Sequence, residues 1–496
     1  MKLVKSLLLG SAAGLFAVAG AQAADLPVMK AAPVDYVRVC STYGTGYFFL
    51  PGTDTCMRVS GFLRADYLYL EPFRRDFDAT GFRARGRINF DVRQATEYGL
   101  LRTFVRFQIQ RNTGTFVTRG QAALSSSGPF LGSEPTFLAE LDQGYIQFGG
   151  LTAGRVQSFY DFWANDDIFT TLLGVSDTKN EALAYTATFG GGWSATIAIE
   201  DGTERRAIAL PGTTAVATGF DQVDPFQLAP QAFTPGGQRM PDVVGNIRVE
   251  QAWGAAQLSA AAHELRPTNL LVTNNAGDFA VRLPGSALAG DDVIGNVDSE
   301  YGFAIQGGVR FNLPMIAAGD QLWLQASFAS GALGYTNVDD FTAARAGTIR
   351  LNQNEATINP VTGELERTDS FSVSGKFLHY WLPNLRSNIF GAYSEIDYDA
   401  SASLAGVDPV TGTVVNFGFN DLRIYEAGAN LIWSPVKGLD IGVEGVYRRL
   451  DPKGRQPEEF GQTIFANGVG NVPSPLFVSR SSQDAWEARL RIQRDF

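Results

Sequence analysis

Two-residue alternation, carried through segment after segment, is what most limits the folds open to this chain. In residues 82–93, Phe82, Ala84, Gly86, Ile88, Phe90 and Val92 fall on one side and Arg83, Arg85, Arg87, Asn89, Asp91 and Arg93 on the other. That period belongs to a β-strand, whose successive side chains point to opposite faces. Residues 99–110 repeat it, with Leu101, Thr103, Val105, Phe107 and Ile109 against Arg102, Arg106, Gln108 and Gln110. At the end of the chain Trp486, Ala488, Leu490, Ile492 and Phe496 oppose Glu487, Arg489, Arg491, Gln493 and Asp495. A soluble sheet can wet one charged face, but the wall of a transmembrane barrel has the same pattern, apolar to lipid and polar to the lumen. Arg494 breaks the apolar side only at its last turn, where an interfacial charge costs about 0–1 kcal/mol.

The N-terminus gives the route. Lys2 and Lys5 precede an apolar run over residues 7–19 and the small-residue site Ala21-Gln22-Ala23, the pattern of a secretory signal peptide, residues 1–23, cleaved before Ala24. Beyond Ala24 no apolar run approaches the roughly 18 to 20 residues that a membrane helix needs. Instead 35 Phe and 16 Tyr are scattered among polar residues, which suits a barrel with aromatic girdles. The formal charge of −11 becomes more negative without Lys2 and Lys5, so nucleic acid is not an expected partner. Charge is unevenly placed: residues 58–119 carry 12 Arg against 6 acids, whereas residues 120–496 carry 24 basic residues against 42 acids. The two cysteines, Cys40 and Cys56, are in the exported part and flank a Gly- and Pro-containing stretch, so a disulfide between them is expected. With so few thiols, and with His263 and His379 far apart, neither a metal nor a cofactor is expected.

Sixteen segments read as strands, from residues 59–69 to residues 485–496. Residues 151–156 and 387–393 are the weakest, leaving 14 or 18 as alternatives. Short links at 190–192, 381–384 and 434–438 interchange with long polar stretches near 201–242, 264–300, 329–370, 394–421 and 450–484. This is the rhythm of an up-and-down barrel with short periplasmic turns and long outer loops. The domain reading is therefore an N-terminal segment over 24–58 and an all-β, 16-stranded antiparallel transmembrane barrel over 59–496. Too few residues precede the barrel to plug a 22-stranded one, and about 16 strands without a plug leave an aqueous channel.

Whatever narrows that channel must come from a loop. Residues 158–180, between the fifth and sixth strands, hold Phe159-Tyr160-Asp161-Phe162-Trp163 and then Asp166, Asp167 and Asp177. Folded into the lumen, this loop would pack its aromatics on the wall and face its acids toward Arg64, Arg83, Arg85, Arg87, Arg102 and Arg106. An outer loop with a solvated acidic patch is the plainer alternative, and the arginines could equally be an ordinary wet strand face. Charges at a constriction set ion selectivity. The acidic total leans to cations and the arginines oppose it, for a weak cation preference.

Several stretches resemble a known family. Tyr36-Val37-Arg38-Val39-Cys40, Tyr43-Gly44, Gly46-Tyr47-Phe48, Pro51-Gly52-Thr53, Thr55-Cys56 and Arg58-Val59-Ser60-Gly61 resemble the opening of the alphaproteobacterial porins, the general porins of rhizobial and related bacteria. The run from Tyr145-Ile146-Gln147-Phe148-Gly149-Gly150 to Leu151-Thr152-Ala153-Gly154-Arg155 is similar to that family's entry into the third loop. The terminal Phe496 resembles the signal by which Gram-negative barrels are delivered to the assembly machinery. The resemblance implies a homotrimer in the outer membrane, surrounded by its lipids and lipopolysaccharide, with the third loop bent inward over a path for small hydrophilic solutes and ions. By position the loop acids would be Asp161, Asp166 and Asp167, facing the six arginines. The outer loops, such as 329–370, look longer than a minimal member's.

A passive diffusion porin is thus the leading reading. A solute-selective channel, for sugars for instance, would need a lengthwise aromatic track, and a non-conducting barrel used as adhesin or anchor would put its function in the loops. An enzyme is not expected, since a hydrolase would need a His beside a nucleophile. His379 reads as an interfacial residue beside Tyr380 and Trp381, and His263 as a rim residue.

Overall fold

The computed structural model describes residues 38–72, 78–118, 135–162, 167–206, 231–232, 235–273, 279–282, 293–338, 354–359, 362–399, 403–407, 414–418, 421–453, 456–457, 479–480 and 482–496. The signal-peptide reading lies outside them. Sixteen long strands form the wall: β1 (Cys56–Leu70), β2 (Thr80–Thr96), β3 (Gly99–Asn112), β4 (Thr136–Phe148), β5 (Leu151–Gln157), β6 (Lys179–Gly190), β7 (Trp193–Glu200), β8 (Asp242–Gln251), β9 (Gly254–Leu265), β10 (Glu300–Asn312), β11 (Gln321–Ser330), β12 (Asp369–Leu382), β13 (Leu385–Asp397), β14 (Leu422–Val436), β15 (Leu439–Pro452) and β16 (Gln483–Asp495). The two weakest sequence segments are genuine strands, β5 and part of β13.

Each strand pairs antiparallel with its chain neighbour, and β16 returns to β1, Phe62 lying opposite Asp495 and Leu70 opposite Glu487. Closure is what a membrane demands, because an open edge in hydrocarbon would leave backbone N–H and C=O groups without partners. At the seam Gly61 and Phe496 exchange two backbone hydrogen bonds of 3.0 Å. Links of two residues, such as 97–98, 149–150 and 437–438, all fall at one end of the barrel, the periplasmic end of such folds. Gly192, in one of them, has a φ of +82°, and a Cβ there would overlap the carbonyl of Glu250. No helix among the described residues is long and apolar enough to cross a membrane.

The alternation resolves as lipid face and lumen face. Leu63, Ile88, Ile109, Trp486 and Leu490 are exposed outward, while Asp66, Asp91, Gln108, Glu487 and Arg491 are buried inward. Arg494 does sit at the rim, donating to the Lys437 carbonyl at 2.7 Å. β1 begins three residues before the sequence reading because Cys56 and Met57 already pair with β2 on one side and with Phe48–Phe49 on the other. That hairpin is closed by the Cys40–Cys56 disulfide. β4 carries a bulge: Arg106 faces Gln143 and Phe107 faces Leu141, leaving Asp142 as the extra residue. Asp142 and Gln143 are in consequence both buried inward, while Leu141 faces out.

Candidate functional site

The described part of the segment between β5 and β6 lies inside the barrel. Its apolar side chains need a dry surface, and the inner face of β6 to β11 supplies one of small residues. Tyr160 and Phe159 pack against Ala184, Ala198, Val244, Ala261, Ala304 and Ala329. Gly308 on β10 leaves room for Phe162, whose ring would collide with any Cβ there. Two carboxylates hold the loop's backbone. Glu200 on β7 accepts from Ser158 Oγ at 2.7 Å and from the Phe159 N–H at 2.8 Å. Glu444 on β15 accepts from the N–H groups of Phe169 and Thr170, each at 2.7 Å. Hydrogen bonds to charged groups contribute about 1.5–3 kcal/mol each. Asn388 and Asn430 donate to the Asp167 carbonyl, so the loop reaches across the lumen from β7 to β15.

The loop acids are placed differently from the expectation. Asp161 was to face the arginines of β2 and β3; its carboxylate instead pairs with Arg205 at 3.0 Å, and accepts from Gln157, Ser176 and the Thr178 N–H. Arg205 follows β7 in the turn Gly202–Arg205 and lies fully buried, with its guanidinium 4.2 Å from the Tyr335 ring centroid. Burial alone would lower its pKa, but Asp161, Tyr335 and Glu200 together more than offset that and hold Arg205 above its ordinary value. This partner comes from a loop 44 residues away, with no periodicity to announce it. Asp167 pairs with the buried Lys376 of β12 at 3.2 Å and keeps a third of its side chain exposed. Asp166 lies outside the described residues.

All six arginines of the expected basic wall point inward on β1 to β3, and Arg93, Arg489 and Arg491 join them. Their counter-charges come from the wall itself. Asp66 takes Arg83 at 2.7 Å and Arg491 at 2.6 Å. Asp91 takes Arg93 at 2.8 Å, Arg102 at 2.9 Å and the Tyr47 hydroxyl of the disulfide-closed hairpin at 2.7 Å. The bulged Asp142 lies 3.4–3.6 Å from Arg87, Arg106 and Lys179. Asp66 and Asp91 share the parity of the arginines in the sequence, a signal that would have marked them as lumenal. Rings support the guanidinium groups: Arg64 and Arg87 lie over Phe62 at 4.5 and 4.8 Å, and Arg102 and Arg106 over Phe104 at 5.3 Å.

The histidines divide. His379 faces out, bonded to Asp320 at 2.6 Å. His263, expected at the rim, is buried instead, with Nδ1 2.8 Å from Asp242 and Nε2 3.6 Å from Glu355, because the segment containing Glu355 covers the end of β9.

Comparisons agree with this geometry. The sequence profile described as Porin subfamily matches residues 25–469. Porin Omp2b of Brucella canis is 31% identical over 331 residues, 64% of this chain and 82% of the relative. Porin Omp2b of Brucella neotomae is 34% identical over 258 residues, 51% of this chain and 64% of its own. Among solved structures, the outer membrane channel DcaP of Acinetobacter baumannii superposes with a TM-score of 0.54 over 90% of this chain and 99% of its own, at 16% identity, a likeness of fold. A closed sixteen-stranded wall, apolar outside and charged inside, is thus matched over most of its length by one family: the chain belongs to the porin subfamily, as an outer-membrane channel for passive diffusion of ions and small hydrophilic solutes.

Proposed function

We propose that solutes pass between the third loop and the arginine wall, and that this path favours anions. The carrying observation is which charges stay accessible. Glu200, Glu426, Glu444 and Glu487 are buried, and Asp161 is closed in its ion pair. The side chains of Arg83, Arg87, Arg93, Arg102 and Arg106 each keep between 13% and 24% of their surface open. Ions in a narrow lumen respond to the charges they can approach, whatever the total. The composition's lean to cations therefore gives way in this reading. Of the loop acids expected at the constriction, Asp161, Asp166 and Asp167, we assign Asp167 to the path and give Asp161 the part of holding the loop in place through Arg205. Solutes pass chemically unchanged, and no catalytic step is invoked.

Reversal potentials under a KCl gradient test the reading. Arg83→Gln/Arg87→Gln/Arg106→Gln should shift selectivity toward cations, and the shift should shrink near 1 M salt, where the Debye length is about 3 Å. An unchanged reversal potential overturns it. A sugar-selective track is less well supported, because sugars stack on open ring faces and those of Phe62 and Phe104 are occupied by guanidinium groups. A non-conducting anchor would give no channels in the same bilayers. The assembly we propose is a homotrimer joined through outward faces of strands near the seam, bathed in lipid and lipopolysaccharide elsewhere, with Phe496 read by the assembly machinery. Deleting Phe496 should lower the yield of heat-resistant trimers in the outer membrane; normal yield counts against that role.

A further inference from the structure

One rung of the wall is built unlike the others. Gln493 of β16, Arg64 of β1, Arg85 of β2 and Gln110 of β3 lie side by side in register. Gln493 Oε1 accepts from Arg64 Nε at 2.6 Å, and Gln110 Oε1 from Arg85 Nε at 2.7 Å. Two like charges directly opposite one another on neighbouring strands are destabilising, and elsewhere on this wall a carboxylate relieves the arginines. Here the flanking acceptors are neutral amides, which fix the guanidinium planes and leave the charge in place. Asp66, in the next rung, is already engaged, Oδ2 by Arg83 and Oδ1 by Arg491. In the rung below, the ring of Phe62 lies 4.5 Å from the Arg64 guanidinium, and Asp495, opposite Phe62, accepts from Gln493 Nε2 at 2.8 Å. Among the described residues the Nη groups of Arg64 and Arg85 have no hydrogen-bond acceptor, and both side chains are partly exposed.

Two adjacent planar forks, each anchored at Nε and each with its Nη donors unspent, match the geometry of an oxyanion, which guanidinium groups take in paired hydrogen bonds. We propose that Arg64 and Arg85 form a binding station for phosphate or carboxylate groups of passing solutes, with Gln493 and Gln110 as positioning residues. The proposal rests on the anion-favouring path above. It goes further in assigning a saturable site: binding strong enough to draw the anion in, and weak enough to release it.

The test uses the full-length protein in planar bilayers, titrating inorganic phosphate against chloride current at low ionic strength. Wild type should show a saturating, partial block. Gln110→Glu/Gln493→Glu keeps both acceptors and adds a carboxylate to each guanidinium, and should raise the half-blocking concentration at least about tenfold, or 1.4 kcal/mol. Arg64→Lys/Arg85→Lys keeps the charge without the forks and should weaken the block as well, which separates geometry from charge. Heat-modifiable mobility on gels identifies folded barrels before any variant is read. No saturation in wild type, or an undiminished block in the Gln→Glu pair, overturns the station. If Arg83→Gln/Arg87→Gln/Arg106→Gln still shifts the reversal potential in that event, the selectivity reading survives the loss of the station.

Discussion

The two halves of the lumen solve opposite problems with the same strand period. From β6 to β11 the inward face carries a patch of small residues, and Ala184, Ala198, Val244, Ala304 and Ala329 are each at most 2% exposed because the third loop lies on them. From β1 to β3 the inward face is rich in arginines, and Arg106 keeps 23% of its side chain open. One wall is finished by another part of the chain, and the other is left for solutes. A barrel thus acquires an interior core on one side only, and that asymmetry defines where the pore runs.

Breaking the covered half should have the largest effect. Asp161→Asn removes the partner of the fully buried Arg205, and stranding one charge of a buried pair costs about 3–5 kcal/mol. Thermal unfolding should fall accordingly, with noisier channels; a change in selectivity alone, at unaltered stability, would mean that Asp161 belongs to the path instead. On the open half, Cys40→Ser releases the hairpin that sets Tyr47 on Asp91. A crosslink closing about 16 residues contributes about 3 kcal/mol in the chain-entropy account, so this variant should melt earlier while its conductance stays close to wild type. Glu444→Gln should cost less, about 2 kcal/mol, because Phe169 and Thr170 donate to different oxygens of Glu444 and a carboxamide keeps only one of those two acceptors, and its signature should be open-channel noise. Asp167→Asn weakens the ion pair with the buried Lys376, a loss of about 1 kcal/mol after discounting for the open side of Asp167, and should move the reversal potential toward anions. Smallest of all is Tyr160→Phe. The buried Tyr160 hydroxyl has no hydrogen-bond partner among the described residues, so its removal should be neutral or stabilise by up to about 1 kcal/mol.

The arginine half was legible in the sequence because it is encoded locally. Arg83, Arg85 and Arg87 declare a face by parity alone, and Arg102 and Arg106 repeat it on the next strand. The covered half was not. Small residues at 184, 198, 261, 304 and 329 carry little signal one at a time, and only the position of Tyr160 makes them a binding surface. Partnerships across loops were equally silent: Asp161 with Arg205 and Asp167 with Lys376 join positions that no period relates. Those contacts follow from how the loop enters the barrel, and strand alternation gives no information about that. The Cys40–Cys56 bridge needed no such geometry, since the secretory route and the cysteine count left a single pairing.

The bulge at Asp142 makes β4 a strand whose inside and outside are defined by counting. On the Gln143 side of it, Gly144, Ile146 and Phe148 face out; on the other side Phe137, Ala139 and Leu141 do. A one-residue deletion at position 142 would therefore remove only the extra residue, leaving Leu141 out beside Gln143 in, so that every other side chain of β4 keeps its face. Phe137 and Leu141 would stay toward lipid and Glu140, bonded to Gln108 at 2.6 Å, in the lumen; what is lost is the carboxylate 3.4–3.6 Å from Arg87, Arg106 and Lys179. A one-residue deletion in a regular stretch of the same strand has no such spare residue to lose, and would damage membrane insertion more than most lumenal substitutions, because it changes the parity of the residues on one side of it and leaves their chemistry untouched.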